Sequence, residues 1–429
     1  MSTQVNKKLF FRHKIFSSNL TFIIFCVIFA VLIFTRFSYP DSKSDFTWDQ
    51  IDNAWAAKDI IYDHKLPLVG MQAKGNTGFY IGPYYYYIIT PFYIATDLDP
   101  YASVLIAGVT SILTFLFIYF LIKDMFNEKI AMLAIFFDAF SFYIIGLDRT
   151  QWPVNFIALV SLVIFYSLYK IVNGNSRFML LLAAAFGFSM HVHFTSVFYI
   201  PLILLCLPFF PRNKDMIKNT LYAIPIITLF LVPLIMAPFG KSSTHLISYL
   251  NTTFLGIHLR RFFQVAQDGF IEFEGIYSVY FLKQIGFVLF PLYLLQLFIK
   301  SYKSKKVVIV YLSLIWVLIP WMFFATYGGE LSNYYFSITR PVVLIAISFI
   351  LYNLVIYKRL AGCIIVGVFI IFYVYTNTLE FFAFHTRGVG YYREKVNEKI
   401  KKGEIIEFGP GNPESYFYFI NKERYDQKK

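Results

Sequence analysis

Stretches of about twenty apolar residues recur along this chain of 429, separated mostly by short connections that carry Lys or Arg. A helix needs about 20 predominantly apolar residues to cross a hydrocarbon core ~30 Å thick. Lipid offers no hydrogen bonds to a bare backbone, so a span of this kind must satisfy its own N–H and C=O groups as a helix. Eleven such spans are expected, at 19–37, 101–122, 130–146, 154–171, 178–189, 194–210, 221–239, 276–299, 307–326, 341–357 and 361–375. Every connection on one side is basic: Lys123, 170–177, Arg212 to Lys218, Lys300 to Lys306, and Lys358-Arg359. Cytoplasmic loops carry that excess, which orients the whole set.

The fold class is therefore an all-α polytopic membrane protein. Only 15% of residues are charged, against about 25% in a soluble domain. The formal net charge of +13 suggests nucleic acid only until its distribution is read, because the cations cluster on one side of the membrane. Cys26, Cys206 and Cys363 all lie in apolar runs, so no disulfide framework is implied. A basic leader (Lys7, Lys8, Arg12, Lys14) precedes the first span with no small-residue cleavage site after it. It reads as a retained signal anchor with a cytoplasmic N-terminus. The expected organisation is a transmembrane domain over 1–376, with a first outer loop at 39–100, a second at 240–275, and a small extracytoplasmic tail at 377–429. Nucleotide loops, dinucleotide glycine patterns and zinc spacings do not occur.

The first outer loop gathers chemistry that the spans exclude. Asp45, Asp49 and Asp52 come with Trp48 and Trp55, and 47–62 predicts a short amphipathic helix. Its apolar face would hold Trp48, Ile51, Trp55 and Tyr62, with Asp49, Asp52 and Asn53 elsewhere. The run Tyr84 to Tyr93, opened by Pro83 and interrupted by Pro91, suits an interfacial helix with phenols at headgroup level. The alternative is a solvated acidic loop with an aromatic belt.

Other polar clusters fall on the same side: Arg149, Trp152 and Asn155 between spans three and four, and His191 and His193 between five and six. Arg260 and Arg261 lie in the second loop, and Tyr334, Tyr335 and Arg340 between spans nine and ten. A lone interfacial Arg often just snorkels to lipid phosphate, and histidines two apart often serve only packing. Asp138 lies mid-span, where a charge costs roughly 2.5–3.5 kcal/mol on insertion scales, so it must be paired, neutral or wet.

The order of these features resembles the GT-C membrane glycosyltransferases, in the branch of the dolichyl-phosphate-mannose protein mannosyltransferases and the bacterial aminoarabinose transferases. The resemblance runs from about Phe22 to Pro341 and rests on five motifs in order. These are Trp48-Asp49-Gln50, where family members often have Asp-Glu; Gly82-Pro83-Tyr84-Tyr85-Tyr86 to Pro91; Arg149 with Trp152, Pro153 and Asn155; Gly187 to His193 and Thr195; and Tyr334-Tyr335 before Pro341. The resemblance implies an enzyme that moves one sugar from a polyprenyl-phosphate carrier, such as undecaprenyl phosphate, to a hydroxyl of a glycan, lipid or protein. Transfer would occur on the outer face of the plasma membrane with inversion.

Such a displacement needs one carboxylate to take the acceptor proton, here Asp49, with Asp52 as a second candidate. The leaving phosphate calls for guanidinium forks: Arg149 and Arg340 first, then Arg260, Arg261 and Lys74. Tyr84, Tyr85, Trp152, Asn155, His191, His193, Tyr334 and Tyr335 are the candidates for holding sugar or acceptor. No cofactor and no metal are expected. A polysaccharide polymerase or ligase would share the carrier, and a secondary transporter would instead need midplane ionisable groups and paired repeats.

Overall fold

The computed structural model describes residues 16–72, 80–237, 265, 271–277, 285–304, 307–327, 331–404, 406 and 412–423. Helices dominate them, and the pairings outside helices are two isolated bridges, Asp45 with Gly388 and Gln72 with Tyr80. The chain opens with α1 (Asn19–Phe37), capped by Ser18, whose hydroxyl accepts from the Thr21 N–H. After α2 (Pro40–Lys43), α3 (Trp48–Tyr62) and α4 (Tyr84–Ala95) build the first loop. Next come α5 (Tyr101–Met125), α6 (Glu128–Phe140), α7 (Phe142–Arg149), α8 (Asn155–Val172) and α9 (Phe178–Ser189). A 3-10 turn (Phe194–Phe198) leads into α10 (Tyr199–Cys206) and α11 (Lys214–Met236). The second half holds α12 (Ile271–Tyr277), α13 (Ile285–Ser304), α14 (Val308–Ala325), α15 (Arg340–Tyr357) and α16 (Arg359–Ala383), then α17 (Val389–Lys402) and α18 (Pro413–Tyr418) in the tail.

Among the described residues, seven helices are long and apolar enough to span a membrane, or eight if α6 and α7 form one span bent by 64°. Three shorter apolar helices, at Phe178–Ser189, Phe194–Phe209 and Val288–Ser301, coincide with expected spans but fall below full length. The count of eleven is therefore not confirmed. The bend falls at Ser141, whose extended backbone ends α6 while its hydroxyl caps α7. Expected span 276–299 overlaps two described helices, the end of α12 and most of α13, with 278–284 outside the described residues.

Packing separates inner from outer helices. The hydrophobic stretches of α8 and of 333–357 are mostly buried, whereas α1, α11 and α16 leave most of theirs exposed. Helices apolar all round suit both places, since lipid and protein interior are alike apolar.

A charged cluster lies within this bundle. Asp148 on α7 accepts from Arg36 Nη2 at 2.9 Å and meets Arg340 Nη1 at 3.2 Å, and Ser111 donates to it at 2.8 Å. Arg340 Nε also meets Glu272 of α12 at 3.4 Å, and Tyr143 and Ser337 donate to that same carboxylate at 3.0 and 2.9 Å. All four charged residues are buried. Asp138 is buried beside them. Its carboxylate oxygens make no hydrogen bond among the described residues, while its backbone carbonyl accepts from Arg36 at 2.8 Å.

The tail packs on the first loop. Arg393 Nη2 donates to both carboxylate oxygens of Asp99 at 2.7 and 3.0 Å, Trp55 meets Tyr416 and Phe419 at 5.1 and 5.4 Å between centroids, and the Tyr416 hydroxyl donates to Leu98 O at 2.9 Å. Gly388 and Gly390 permit the approach: a Cβ would stand 2.5 Å from the Asp41 side chain at Gly390 and 2.4 Å from Ser44 O at Gly388.

Removing one partner from a buried ion pair leaves the other charge uncompensated, at a cost of about 3–5 kcal/mol. Asp148→Ala should therefore lower the melting temperature in detergent sharply, while Asp63→Ala, in an ion pair with an exposed lysine, should stay within ~0.5 kcal/mol of the parent. Equal melting of the two variants would show that the cluster does not stabilise the fold.

Candidate active site on helix α3

Helix α3 begins with a capping box. Thr47 is its N-cap, and the Thr47 N–H donates to Gln50 Oε1 at 3.0 Å. Gln50 is buried and uses its amide to donate to Gln151 O at 2.8 Å. The glutamine that stands where Glu is common in the resembled family thus holds the helix start and ties α3 to the α7–α8 turn. Because Thr47 and Gln50 do the capping, Asp49 is left free, and its carboxylate makes no hydrogen bond among the described residues.

The amphipathic expectation for α3 needs correction. Ile51 is buried and Trp55 packs on the tail, but Trp48 is 71% exposed and Tyr62 is 41% exposed. The buried face is formed by Gln50, Ile51, Asn53, Ala54 and Ala57.

Two cavities meet at Asp49. The first, about 300 Å³, is walled by Pro153 and Val154 of the α7–α8 turn, Val192 to Thr195 after α9, Phe198, Phe324 of α14, and Tyr327, Tyr334 and Tyr335. The second, about 860 Å³, is more open and holds Asp52, Trp55, Asp59, Tyr80, Tyr86 and, from the tail, Ser415. Asp49, Met71 and Gln72 border both. Burial, and then the negative charge of Asp52, raise the Asp49 pKa above its ordinary value; burial alone raises that of Asp52.

His193 joins the first cavity from the break after α9. Its Nδ1 accepts from the Thr195 N–H at 3.2 Å, and its ring lies 5.3 Å from Tyr335 and 5.8 Å from Tyr334. Burial lowers its pKa to about 4, so the ring is neutral at physiological pH. His191, two residues earlier, faces elsewhere. It stacks on Tyr84 at 4.2 Å between centroids, and its Nε2 pairs with Phe230 O at 2.9 Å. Gly82 makes this contact possible, because a Cβ there would stand 1.9 Å from His191 Nδ1.

The structure thus brings Asp49, His193, Tyr334 and Tyr335 around one cavity and Asp52 into the adjoining one. Other candidates lie apart from both. Tyr84 donates to Leu229 O at 2.8 Å, and the buried Tyr85 hydroxyl accepts from Gln151 at 2.5 Å. Trp152 lies behind Tyr334 at 4.5 Å, and Asn155 donates to Asp148 O at 3.4 Å.

The two leading arginines are corrected as well. All three Arg149 nitrogens donate to protein oxygens, at Lys43 (2.9 Å), Thr35 (2.6 Å) and Ser38 (2.7 Å), so its fork closes the C-terminal end of α1. Arg340 is committed to Asp148 and Glu272. Both are buried, with guanidinium groups engaged by the protein where a phosphate would need them. Lys74, Arg260 and Arg261 lie outside the described residues.

Sequence reasoning missed Thr195, Tyr327, Phe324, Tyr86 and Ser415. Tyr86 was one position away from the chosen tyrosines, and Thr195 stood in the His-x-Thr motif itself. Glu272, which holds Arg340, carried no local signal.

A methyl group at Gly82 would have to displace His191, and overpacking of this kind typically costs about 1–3 kcal/mol. Gly82→Ala should lower the melting temperature in detergent, and His191→Ala in the same chain should recover part of the loss. Additive losses in the double variant would show that the two sites are not coupled.

Residues 81–239 match the family model of the dolichyl-phosphate-mannose-protein mannosyltransferases. No curated protein matches the chain. Among solved structures it is similar to ArnT from Cupriavidus metallidurans in the apo state, at 13% identity and TM-score 0.51 over 79% of this chain and 64% of that one. It is also similar to ArnT bound to undecaprenyl phosphate, at 10% identity and TM-score 0.54 over 94% and 75%. The archaeal oligosaccharyltransferase AglB from Archaeoglobus fulgidus, in complex with an inhibitory peptide and a dolichol-phosphate, matches at 10% identity and TM-score 0.54 over 92% and 60%. The chain spans less than two thirds of the length of two of these three structures. Identities this low speak for the fold alone, which is that of the GT-C membrane glycosyltransferases, and the family model adds a match over residues 81–239.

Proposed function

We propose that this protein transfers a single sugar from a polyprenyl-phosphate-sugar donor to a hydroxyl acceptor on the extracytoplasmic face, by inverting displacement with Asp49 as general base. The observation that carries the proposal is the position of Asp49 at the junction of two cavities. A base for this reaction must reach the acceptor oxygen while that oxygen faces the anomeric carbon. The donor belongs in the smaller cavity, because Phe198 and Phe324 join that wall to apolar helices beside which a polyprenyl chain can lie. Its volume of about 300 Å³ suits one sugar better than a whole glycan, which favours a single-sugar transferase over a polymerase or ligase. The acceptor approaches through the larger cavity, past Asp52 and Tyr86.

In the reaction, the acceptor O–H gives its proton to the Asp49 carboxylate as oxygen bonds to the anomeric carbon. The bond to the phosphate oxygen breaks with its electron pair, and a polyprenyl phosphate leaves. Undecaprenyl phosphate bound to ArnT and dolichol-phosphate bound to AglB are carriers of this class. No metal is required to expel a phosphate monoester in this scheme, so EDTA should leave transfer unchanged.

Asp49→Asn should lower turnover by about 10²- to 10⁴-fold, the usual share of general base catalysis, with donor binding retained. Since Asn is as good a helix-terminal residue as Asp, a purely structural Asp49 would give a nearly silent variant. Near-normal transfer at matched expression would sink the assignment.

The base works deprotonated and its pKa is raised, so activity should be full at neutral pH. It should fall with acidification through a midpoint above the ordinary carboxylate value of ~3.9. Asp52→Asn removes one of the two causes and should shift that midpoint to lower pH. An unmoved midpoint would separate the acid limb from Asp49.

Sidedness is tested in a background lacking Cys26, Cys206 and Cys363. A cysteine at the exposed Glu398 of α17 should react with a membrane-impermeant thiol reagent in intact cells or spheroplasts. One at the exposed Arg212 should be protected. The opposite labelling would put the Asp49 cavities on the cytoplasmic face.

A further inference from the structure

The smaller cavity has an unusual lining for an enzyme whose substrate carries a phosphate. Among the described residues no Lys or Arg borders it; besides Asp49 its polar groups are Gln72, Thr195, His193 and the tyrosine hydroxyls, set among aromatic rings. Such walls suit an uncharged ring with hydroxyls, since apolar and aromatic faces cover the ring while a few polar groups orient it. Among the described residues a charged sugar would find no counter-ion at this wall beyond Asp49, whose charge the reaction itself uses.

His193 supplies the most defined of these groups. The Thr195 N–H donates to Nδ1 at 3.2 Å, and in a neutral imidazole the proton then sits on Nε2. Nε2 has no hydrogen-bond partner among the described residues, and it is not among the buried polar atoms left unpartnered. The tautomer is thus set by the backbone, and the free N–H belongs to a ring that borders the cavity. Burial keeps the imidazole neutral, with a pKa lowered to about 4, so the donor does not change with pH in the working range.

We propose that His193 donates its Nε2–H to an oxygen of the donor's sugar ring, and that the cavity it borders selects an uncharged sugar. This deepens the transferase reading and rests on it. His193 binds and positions the sugar; the proton transfer remains with Asp49.

The two amide replacements of histidine separate this role from a structural one. Gln places its N–H near the position of Nε2 and can still donate into the cavity. Asn places its oxygen near Nδ1 and is the better N-cap. The probe is the polyprenyl-phosphate-sugar pool extracted from cells lacking the gene, incubated with purified full-length protein and the envelope glycan of those cells. The lipid species consumed is identified by mass spectrometry. The consumed species should carry a sugar without an amine or a carboxylate.

His193→Ala should raise the donor KM on the order of tenfold, the loss of one hydrogen bond. His193→Gln should recover most of that loss, and His193→Asn should behave like Ala, at matched melting temperatures. Rescue by Asn and not by Gln would reduce His193 to a cap and overturn the assignment, as would consumption of a charged sugar. If the parent protein consumes no polyprenyl-phosphate sugar, or Asp49→Asn consumes it normally, the transferase reading fails, and the His193 assignment falls with it.

Discussion

Burial of four charged side chains where four helices meet is the constraint on which the rest of the structure depends. Arg36, Asp148, Arg340 and Glu272 come from α1, α7, α15 and α12, and none could be buried alone without a large desolvation penalty. Each must find its partner, so the ends of four helices are brought to one place. Ser111, Tyr143 and Ser337 complete the hydrogen bonding. Lipid supplies no hydrophobic force between helices, so polar contacts of this kind gain importance in setting how a bundle closes.

That closure positions the first loop. Arg149, adjacent to Asp148, draws the C-terminal end of α1 and residues Lys43 and Ser44 against α7 through five hydrogen bonds to backbone and hydroxyl oxygens. Helix α3 begins four residues later and is tied by Gln50 to Gln151, just past the same turn. Residues that resemble a phosphate site in sequence thus serve as the mount for helix α3 and Asp49. The tail continues the same logic from the other side: Tyr416 and Phe419 pack on Trp55, and Ser415 borders the open cavity. Fixed on both sides, Asp49 faces two spaces of different chemistry, one aromatic and narrow, the other acidic and open.

The division suits a reaction whose two substrates differ in kind. In the proposed reaction a lipid-anchored sugar would approach along apolar helices, and a polar hydroxyl compound from water. The neutral groups around the smaller cavity can hold a sugar without competing with Asp49 for the acceptor proton. Burial, and then like-charge repulsion from the neighbouring Asp52, raise the basicity of Asp49. Proximity and basicity are thus supplied by the same short helix.

Local features of the sequence were enough to determine the class, and they singled out the first loop that borders both cavities. Apolar runs fix membrane helices because lipid leaves the backbone no other partner, and the polar loop after the first span could be located by its contrast with them. Helix starts such as that of α3 also follow from local capping residues. Tertiary structure decided which polar groups face the cavity. Arg149 and Arg340 look alike in sequence to any phosphate-binding arginine, and only the approach of α1 and α12 shows that their forks are occupied. Tyr84, Tyr85 and Tyr86 are equivalent as text, yet helix rotation sends one to His191, one to Gln151 and one to the site. Glu272 and Ser415 join the cluster and the cavity from far along the chain. Contacts between residues hundreds of positions apart are set by packing of the whole bundle, which no local pattern encodes.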